Sequence, residues 1–375
     1  MAPPLSDQER LDRLRLARSE NVGPVTYRDL MNQFSSAGDA LDALPDLARR
    51  GGRKRAIKIA SEAQAAQEMK AARKIGARLL FADEADYPFL LAQTDPPPPV
   101  IAVIGALHLL NDSCIAMVGS RSASAAGLRL ASDLARDLGA EGMPIVSGLA
   151  RGIDAAAHRA ALPTGTAAVV AGGIDIVYPE ENRALYDQIG ERGVLVSEMP
   201  PGTRPQGRHF PRRNRIIAGL SRGVIVVEAA LRSGSLITAR FALEQNREVM
   251  AVPGSPLDPR TRGGNRLIKQ GAALVEDAED VVNWLAQTPP PLFSEGDESP
   301  YSPPQAPPPA PTATDREKLL SLLGPTPIEQ DEIIRLAGLP ARTVIALLLE
   351  LDLAGRLHRD TGQRVSLMEE PEERT

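Results

Sequence analysis

The sequence predicts an α/β protein whose centre is a doubly wound, mostly parallel sheet, with a helical domain before it and a winged-helix domain after it. Three observations carry this. Short apolar runs rich in β-branched residues recur at 115–118, 144–147, 167–171, 194–197, 224–227, 248–252 and 273–275. Nearly all are continuously apolar, as strands covered on both faces should be. Stretches with helical spacing separate them, at 125–138, 153–161, 181–189, 235–244 and 265–270, and this alternation implies right-handed crossovers. On either side of the region the periodicity is mainly helical, and a proline-rich run sets off the last part.

At 375 residues the chain exceeds one average domain, and its 43% apolar content suffices for a sizeable core. The formal charge of -5 argues against a uniformly basic nucleic-acid binder. The field that matters is local, however: acids gather at 294–299 and 369–373, whereas bases crowd 49–58 and 204–222. Cys114 is the only cysteine, which excludes intrachain disulfides and cysteine-based zinc sites and fits a reducing compartment. Residues 1–10 lack the apolar core of a signal peptide, and no apolar run approaches the roughly 18 residues of a membrane span. A soluble, cytoplasmic protein is expected.

From 11 to 47 apolar residues recur at helical intervals, interrupted by Asn21-Val22-Gly23-Pro24. This turn suits the hairpin of a helix-hairpin-helix or SAM-like module, whose glycine-containing turn approaches phosphate, and equally an ordinary helical corner. Arg49, Arg50, Arg53, Lys54, Arg55 and Lys58 lead into a helix expected over 56–72. Such a cluster is usually a solvated face, with nucleic-acid contact as the other reading. Residues 78–81 and 100–104 read as strands, with a stiff connector at 96–99. Residues 288–311, dense in proline and serine, cannot bury enough surface to fold and read as a linker. Helical segments from 315 and a hairpin across Thr361-Gly362 make the winged-helix candidate. Its recognition helix, 341–351, has Arg342 as its one cation, a poor match to phosphate, so a protein-docking or autoregulatory wing fits at least as well. The expected domains are 1–74 (helical, SAM-like), 75–287 (sheet), 288–312 (linker), 313–368 (winged helix) and 369–375 (acidic tail).

No phosphate-loop run of the form Gly-x-x-x-x-Gly-Lys-Ser/Thr occurs, and 119–127 lacks dinucleotide spacing. The expected sheet edge instead carries glycine turns with small polar residues: Gly119-Ser120, Ser147-Gly148, Gly172-Gly173, Gly202-Thr203 and Ser233-Gly234-Ser235. Amides at helix starts attract anions, glycines let a ligand approach the backbone, and guanidiniums supply planar donors for phosphate. Each glycine alone is more simply a turn former; several on one edge, with Arg121 and Arg151 beside them, point to a polyanion site. Arg204, Arg208, Arg212, Arg213, Arg215 and Arg222 suit a chain of phosphates, with ion pairs to Glu198 and Glu228 as the alternative use for one or two. Phe210, His209 and Tyr178 are available for stacking on an unpaired base. Asp154 and His158, four apart, are more simply an intrahelical hydrogen bond orienting the preceding turn than an acid/base pair. Asp175 and Asn182 read as turn and capping residues. No catalytic residue, metal site or cofactor is assigned, since the sequence offers neither a nucleophile elbow nor a carboxylate cluster suited to a metal.

Eight ordered motifs add a family resemblance. They are Val-Gly-Ser-Arg (118–121), Ser-Gly-x-Ala-x-Gly-Ile-Asp-x-x-Ala-His (147–158), Gly-Gly-x-Asp-x-x-Tyr-Pro-x-x-Asn (172–182), Ser-Glu-x-Pro (197–200), Phe-Pro-x-Arg-Asn-Arg-Ile-Ile-Ala-Gly-Leu-Ser (210–221), Val-Val-Glu-Ala (226–229), Ser-Gly-Ser-Leu-Ile-Thr-Ala (233–239) and Ala-Val-Pro-Gly (251–254). In this order, over roughly 77–286, the chain resembles the DNA-processing protein A (DprA/Smf) family. The resemblance implies an extended Rossmann-like core that forms a homodimer and holds single-stranded DNA at the strand ends. It implies a recombination mediator that protects incoming or exposed strands and loads a RecA-type recombinase in transformation, with no catalytic step; a single-strand-binding protein is a further candidate partner. Arg121 would be the principal phosphate ligand, with Gly148, Arg151, Gly172, Gly173, Asn182, Arg212, Asn214, Gly234 and Ser235 lining or shaping the pocket. Gly119, Ser120, Phe210, Arg213 and Arg215 complete the candidate DNA-binding set, and Leu267 and Ile268 are candidates for the dimer or recombinase interface. Several relatives carry lysine after the Tyr-Pro pair, where this chain has Glu180 and Glu181; these must point away from phosphate or be compensated by the arginines of 204–215. The rival reading is a nucleotide-phosphate hydrolase or small-nucleotide binder of the lysine-decarboxylase-like Rossmann group. The Pro-Gly-Gly-x-Gly-Thr run of that group is replaced here by Glu-Ala-Ala-Leu-Arg-Ser-Gly-Ser at 228–235.

Overall fold

The structure, a computed structural model, describes residues 5–287, 311–360 and 362–368. Almost all of the expected linker, the acidic run at 294–299 and the acidic tail lie outside the described residues. In chain order the elements are α1 (Asp7–Arg18), α2 (Pro24–Gln33), α3 (Ala37–Arg50), α4 (Glu62–Lys74), β1 (Arg78–Phe81), α5 (Phe89–Ala92), β2 (Val100–Gly105), β3 (Ile115–Val118), α6 (Ala125–Ala140), β4 (Ile145–Ser147), α7 (Ile153–Ala161), β5 (Thr166–Val169), α8 (Arg183–Arg192) and β6 (Val194–Ser197). They continue with α9 (His209–Gly219), β7 (Gly223–Val226), α10 (Ser235–Glu244), β8 (Glu248–Ala251), α11 (Arg262–Lys269), β9 (Ala273–Leu274), α12 (Ala278–Gln287), α13 (Ala313–Leu322), β10 (Ile328–Glu329), α14 (Gln330–Ala337), α15 (Ala341–Leu353), β11 (Leu357–Asp360) and β12 (Arg364–Leu367). They fall into two compact units: 68–287, and 5–67 together with the described residues from 311 onward.

In the first unit nine strands form one sheet in the order β1-β2-β6-β5-β4-β3-β7-β8-β9. Strands β3 to β9 pair in parallel, while β1 and β2 join antiparallel at the β6 edge. The chain winds outward from β3 through β4, β5 and β6, then returns to lay β7 on the other side of β3. The strand order therefore switches between β3 and β7, with Val118 opposite Val226. Alternate residues of β3 feed two cores. Ala116 and Val118 pack with Val146, Ile217 and Val226, whereas Ile115 and Met117 pack with Leu134, Leu138 and Ile225. Both faces are covered, which is why the strands read as unbroken apolar runs.

Three departures from expectation have local causes. The run 210–215, in none of the expected helices, lies in α9; Pro211 sits in the first helical turn, where amides have no intrahelical acceptor to lose. Helix α4 begins at Glu62 and not at 56, because the preceding segment is held extended against Glu20. Lys58 N–H donates to the Glu20 carboxylate at 3.0 Å, Glu20 N–H donates to the Lys58 carbonyl at 2.9 Å, and Ile57 is buried. Residues 180–182 form a separate 3-10 turn, so α8 starts at Arg183 and not at 181.

In the second unit α13, α14 and α15 pack around Leu319, Ile333, Val344, Leu347 and Leu348, and the three-stranded sheet β10-β12-β11 closes the winged helix. Among the described residues no helix is long and apolar enough to cross a membrane.

Cys114 provides a probe of the first unit alone. It is fully buried, its Sγ lies 3.0 Å from the Leu109 carbonyl, and burial pushes the thiol up to about 12. Since only the thiolate reacts readily, a thiol reagent near neutral pH should label the native chain negligibly and label it fully once denaturant unfolds the sheet. Rapid labelling of the native chain would contradict this packing.

Candidate nucleic-acid interface

Beyond the ends of β4 and β5 the turn at 148–152, the loop at 170–182 and the start of α9 enclose a cavity of about 470 Å³. Its chemistry begins beneath it, with Arg213. This side chain is buried, and its Nη1 donates to the carbonyls of Gly148 and Val169 while Nε reaches Asn214 Oδ1 at 3.2 Å. A Cβ on Gly148 would stand 2.6 Å from the guanidinium, so only glycine permits this approach. Burial lowers the Arg213 pKa to about 10, with Asp154 opposing the shift, and leaves it charged at neutral pH.

Two carboxylates complete the frame. Asp154, also buried, accepts the amides of Gly148 at 3.2 Å and Ala150 at 3.3 Å; burial raises its pKa while Arg213 opposes. The expected hydrogen bond between Asp154 and His158 is not formed. His158 Nδ1 instead lies 2.7 Å from Thr166 Oγ1 on β5, its Nε2 has no hydrogen-bond partner, and burial holds its pKa down at about 3. Glu228, at the end of β7, accepts the Ser124 amide at 3.0 Å and the Ser124 hydroxyl at 2.5 Å. It thereby fills the start of α6 at the strand-order switch, where an open α/β sheet would hold a pyrophosphate. Of the turn amides named in the sequence, that of Gly148 is thus supplied with an internal anion.

The arginines divide accordingly. Glu198, only 6% exposed, takes both Arg212 at 3.1 Å and Arg215 at 2.5 Å, so the ion-pair alternative holds for these two. Glu228 pairs with Ser124 and not with any of the six. Arg222 donates to the Leu285 carbonyl, and Arg204 and Arg208 are exposed. The guanidiniums that line the cavity are Arg121, Arg151 and Arg213. Arg121 lies 5.4 Å from the centre of the Phe210 ring, and Phe210 meets Tyr178 at 5.5 Å between centroids with a 56° tilt. A cation and two aromatic rings therefore stand in a row along one wall. Glu180 and Glu181 also line the cavity. Glu180 pairs with Arg183 at 2.6 Å and Glu181 faces Arg151 at 3.8 Å, so compensation comes from these two and not from 204–215.

The other candidates shape the site from behind. Asn182 holds the N-cap position of α8 as expected, but its side chain makes no capping bond: its Nδ2 is buried and donates to the Leu149 carbonyl at 2.9 Å, bracing the 148–152 turn. Gly172 and Gly173 pack on the carbonyls of Thr203 and Pro200, and Gly119 packs on Ile153. Asp175 accepts the Gly202 amide at 2.7 Å, the turn role expected of it. Asn214 reaches the Gly234 carbonyl at 3.3 Å, Ser235 Oγ lies 2.6 Å from Ser233 Oγ, and Ser120 Oγ accepts the Ser122 amide. Leu267 and Ile268 are half-buried against the sheet core. Among the described residues no group of three or more His, Cys, Asp or Glu is placed to hold a metal. Sequence reasoning missed the internal role of Asp154 and Glu228; a carboxylate beside a glycine turn was the available signal. The wall suits a phosphate beside an unpaired, stacked base.

The comparisons with known proteins agree with the layout. Residues 78–286 match the family model described as DNA recombination-mediator protein A, 7–71 match a DprA-like N-terminal HHH domain and 303–363 match a DprA winged helix domain. Protein Smf of Escherichia coli is 42% identical over 299 residues, covering 77% of each chain. The DNA processing protein DprA of Bacillus subtilis is 44% identical over 222 residues, 58% of this chain and 75% of that one. The solved DprA of Streptococcus pneumoniae superposes with a TM-score of 0.61 at 36% identity, over 74% of this chain and 98% of the other. The Helicobacter pylori DprA, solved in a study of its single-stranded DNA binding mode, gives 0.52 at 28% identity, over 56% and 96%.

The buried His158 yields a pH prediction. Its folded pKa of about 3 lies below its ordinary value of 6.5, so the stability it contributes is full above about pH 6.5 and is lost as pH falls toward 3. The slope approaches one proton, about 1.4 kcal/mol per pH unit. Replacing His158 with Gln should remove that slope from urea-unfolding free energies measured between pH 6 and 4. An unchanged slope would mean that the imidazole protonates inside the fold.

Proposed function

Because this chain belongs to the DNA recombination-mediator protein A family, we propose that it binds single-stranded DNA at the cavity beyond β4 and β5 and acts as a recombination mediator, not as an enzyme. The observation that carries the reading is the row Arg121, Phe210, Tyr178 with Arg213 behind it. Arg121 serves as the principal phosphate ligand and Arg151 as a second. Phe210 and Tyr178 offer a platform to a base, a contact worth roughly 1 to 3 kcal/mol. A duplex hides the faces of its bases, so such a platform selects single strands. Gly119, Ser120, Gly148, Gly172, Gly173, Asn182, Asn214, Gly234 and Ser235 hold the site in shape, while Arg212 and Arg215 act through their hold on Glu198.

By extension from the family, the bound strand is DNA taken up in transformation or exposed in the cytoplasm, which the protein protects and passes to a RecA-type recombinase. In this reading a homodimer uses the outer edges of Leu267 and Ile268, and a single-strand-binding protein is a further partner. The H. pylori relative, studied for its single-stranded DNA binding, supports the choice of ligand. The rival hydrolase reading requires a glutamate free at the phosphate. Glu228 instead has both oxygens engaged by Ser124.

Replacing Arg121 with Ala should weaken binding to oligonucleotides of any base sequence and make the salt dependence shallower by about one contact, roughly 0.7 in the log–log slope. The check is a salt-titrated fluorescence anisotropy series with single-stranded oligomers. Unchanged affinity and slope would remove Arg121 from the interface. Replacing Phe210 with Ala should lower affinity about 5- to 160-fold, as loss of a stacked base would, and leave the slope in place.

A further inference from the structure

Both modules of the second unit belong to classes that meet nucleic acid, one through the hairpin between α1 and α2, the other through its recognition helix. Helix α15 carries two apolar stripes. Val344, Leu347, Leu348 and Leu351 face the winged-helix core, whereas Leu349 and Leu353 lie in the core of the N-terminal helices with Leu16, Val22, Tyr27 and Leu44. That second stripe continues the line of Arg342, Ile345 and Ala346 along the helix, the line a groove-reading helix would turn toward base edges. Its C-terminal half is covered, 1% exposed at Leu349 and 0% at Leu353, while Arg342 at its start is exposed.

Polar contacts fix the same seam. Asn21, the left-handed residue of the hairpin at φ 60°, donates from Nδ2 to the Leu353 carbonyl at 3.1 Å. The hairpin thus spends a donor on the end of the recognition helix. Arg359, at the base of the wing, reaches Asp352 at 2.6 Å and Asp29 of α2 at 3.9 Å, and Thr26 approaches Asp352 at 3.5 Å. At Gly51 a Cβ would stand 1.9 Å from the Glu350 carbonyl, so the α3 end and α15 touch backbone to backbone. Arg356 then donates to the Gly51 carbonyl at 3.3 Å.

We infer that the N-terminal helical module of the same chain takes the C-terminal half of the winged helix's recognition face, and that this seam keeps the recognition helix out of a DNA groove. The two ends of the sequence form one closed body, and contact with the strand is left to the sheet unit. This goes beyond the function proposed above, and its first test does not depend on that function.

The test inserts a specific protease site at 303–309 of the full-length protein and cleaves it. After cleavage the winged-helix fragment is expected to co-elute with the remainder in size-exclusion chromatography, at the mass the uncleaved protein shows by light scattering. Replacing Leu353 with Lys, or more gently Arg359 with Ala, should release the fragment or raise its dissociation constant at least 10-fold, while Cys114 stays protected and so reports an intact sheet unit. In the uncleaved chain Arg342→Ala should leave affinity for single-stranded and duplex oligonucleotides within about 2-fold of the original. Separation of the wild-type fragments would overturn the inference. So would a 10-fold loss of DNA affinity in Arg342→Ala. Loss of the strand-binding site with fragments still associated would count against the proposed function alone.

Discussion

A guanidinium buried without a wet surface is expensive unless every donor finds an oxygen, and the site is organised around meeting that requirement for Arg213. Its donors take the carbonyls of Gly148 and Val169 and the side chain of Asn214, and Asp154 supplies the nearby negative charge. Because Gly148 follows β4, Val169 ends β5 and Arg213 rides on α9, one side chain fixes three elements of the cavity relative to one another. Removing the charge would leave the two carbonyls and Asp154 without a counterpart, so the position is tied to the fold as well as to any ligand.

The same economy governs the glycine turns. In a nucleotide-binding α/β protein, amides at the strand-order switch are reserved for phosphate. Here Glu228 occupies that place and Asp154 the next turn. The cavity is displaced toward β4 and β5, where its lining is set by arginine and aromatic side chains. Side chains can follow a flexible polymer more readily than a rigid ring of amides can. On the proposed reading, this is the physical difference between a site for a strand and a site for a dinucleotide.

The alternation of apolar runs with helical spacing made the central sheet legible, since burial on both faces leaves a strand no choice but to be continuously apolar. The winged helix was legible for a similar reason, from three periodic segments and a Thr-Gly turn. What stayed hidden depended on distance. Nothing local shows that Glu198 would collect Arg212 and Arg215, or that Asp154 and His158, one helical turn apart, would face different partners. Helix α9 was absent from the expected helices, since proline, here Pro211, marks turns as well as the first turn of helices. The basic run at 49–58 was equally opaque: Arg49 pairs with Asp46 and Arg53 with Glu20, so part of it serves its own module.

The facing of Arg151 by Glu181 at 3.8 Å has a kinetic side. Both groups are exposed, so their attraction is weak and readily exchanged. On the proposed reading, an arriving phosphate takes over a guanidinium already oriented by a carboxylate, and on departure the carboxylate takes it back. Arg151 is never left without an anion, while Glu181 is released beside the phosphate, and its repulsion favours a grip that can be relinquished. For the proposed hand-over of a bound strand, brief occupancy is an advantage over tenacity.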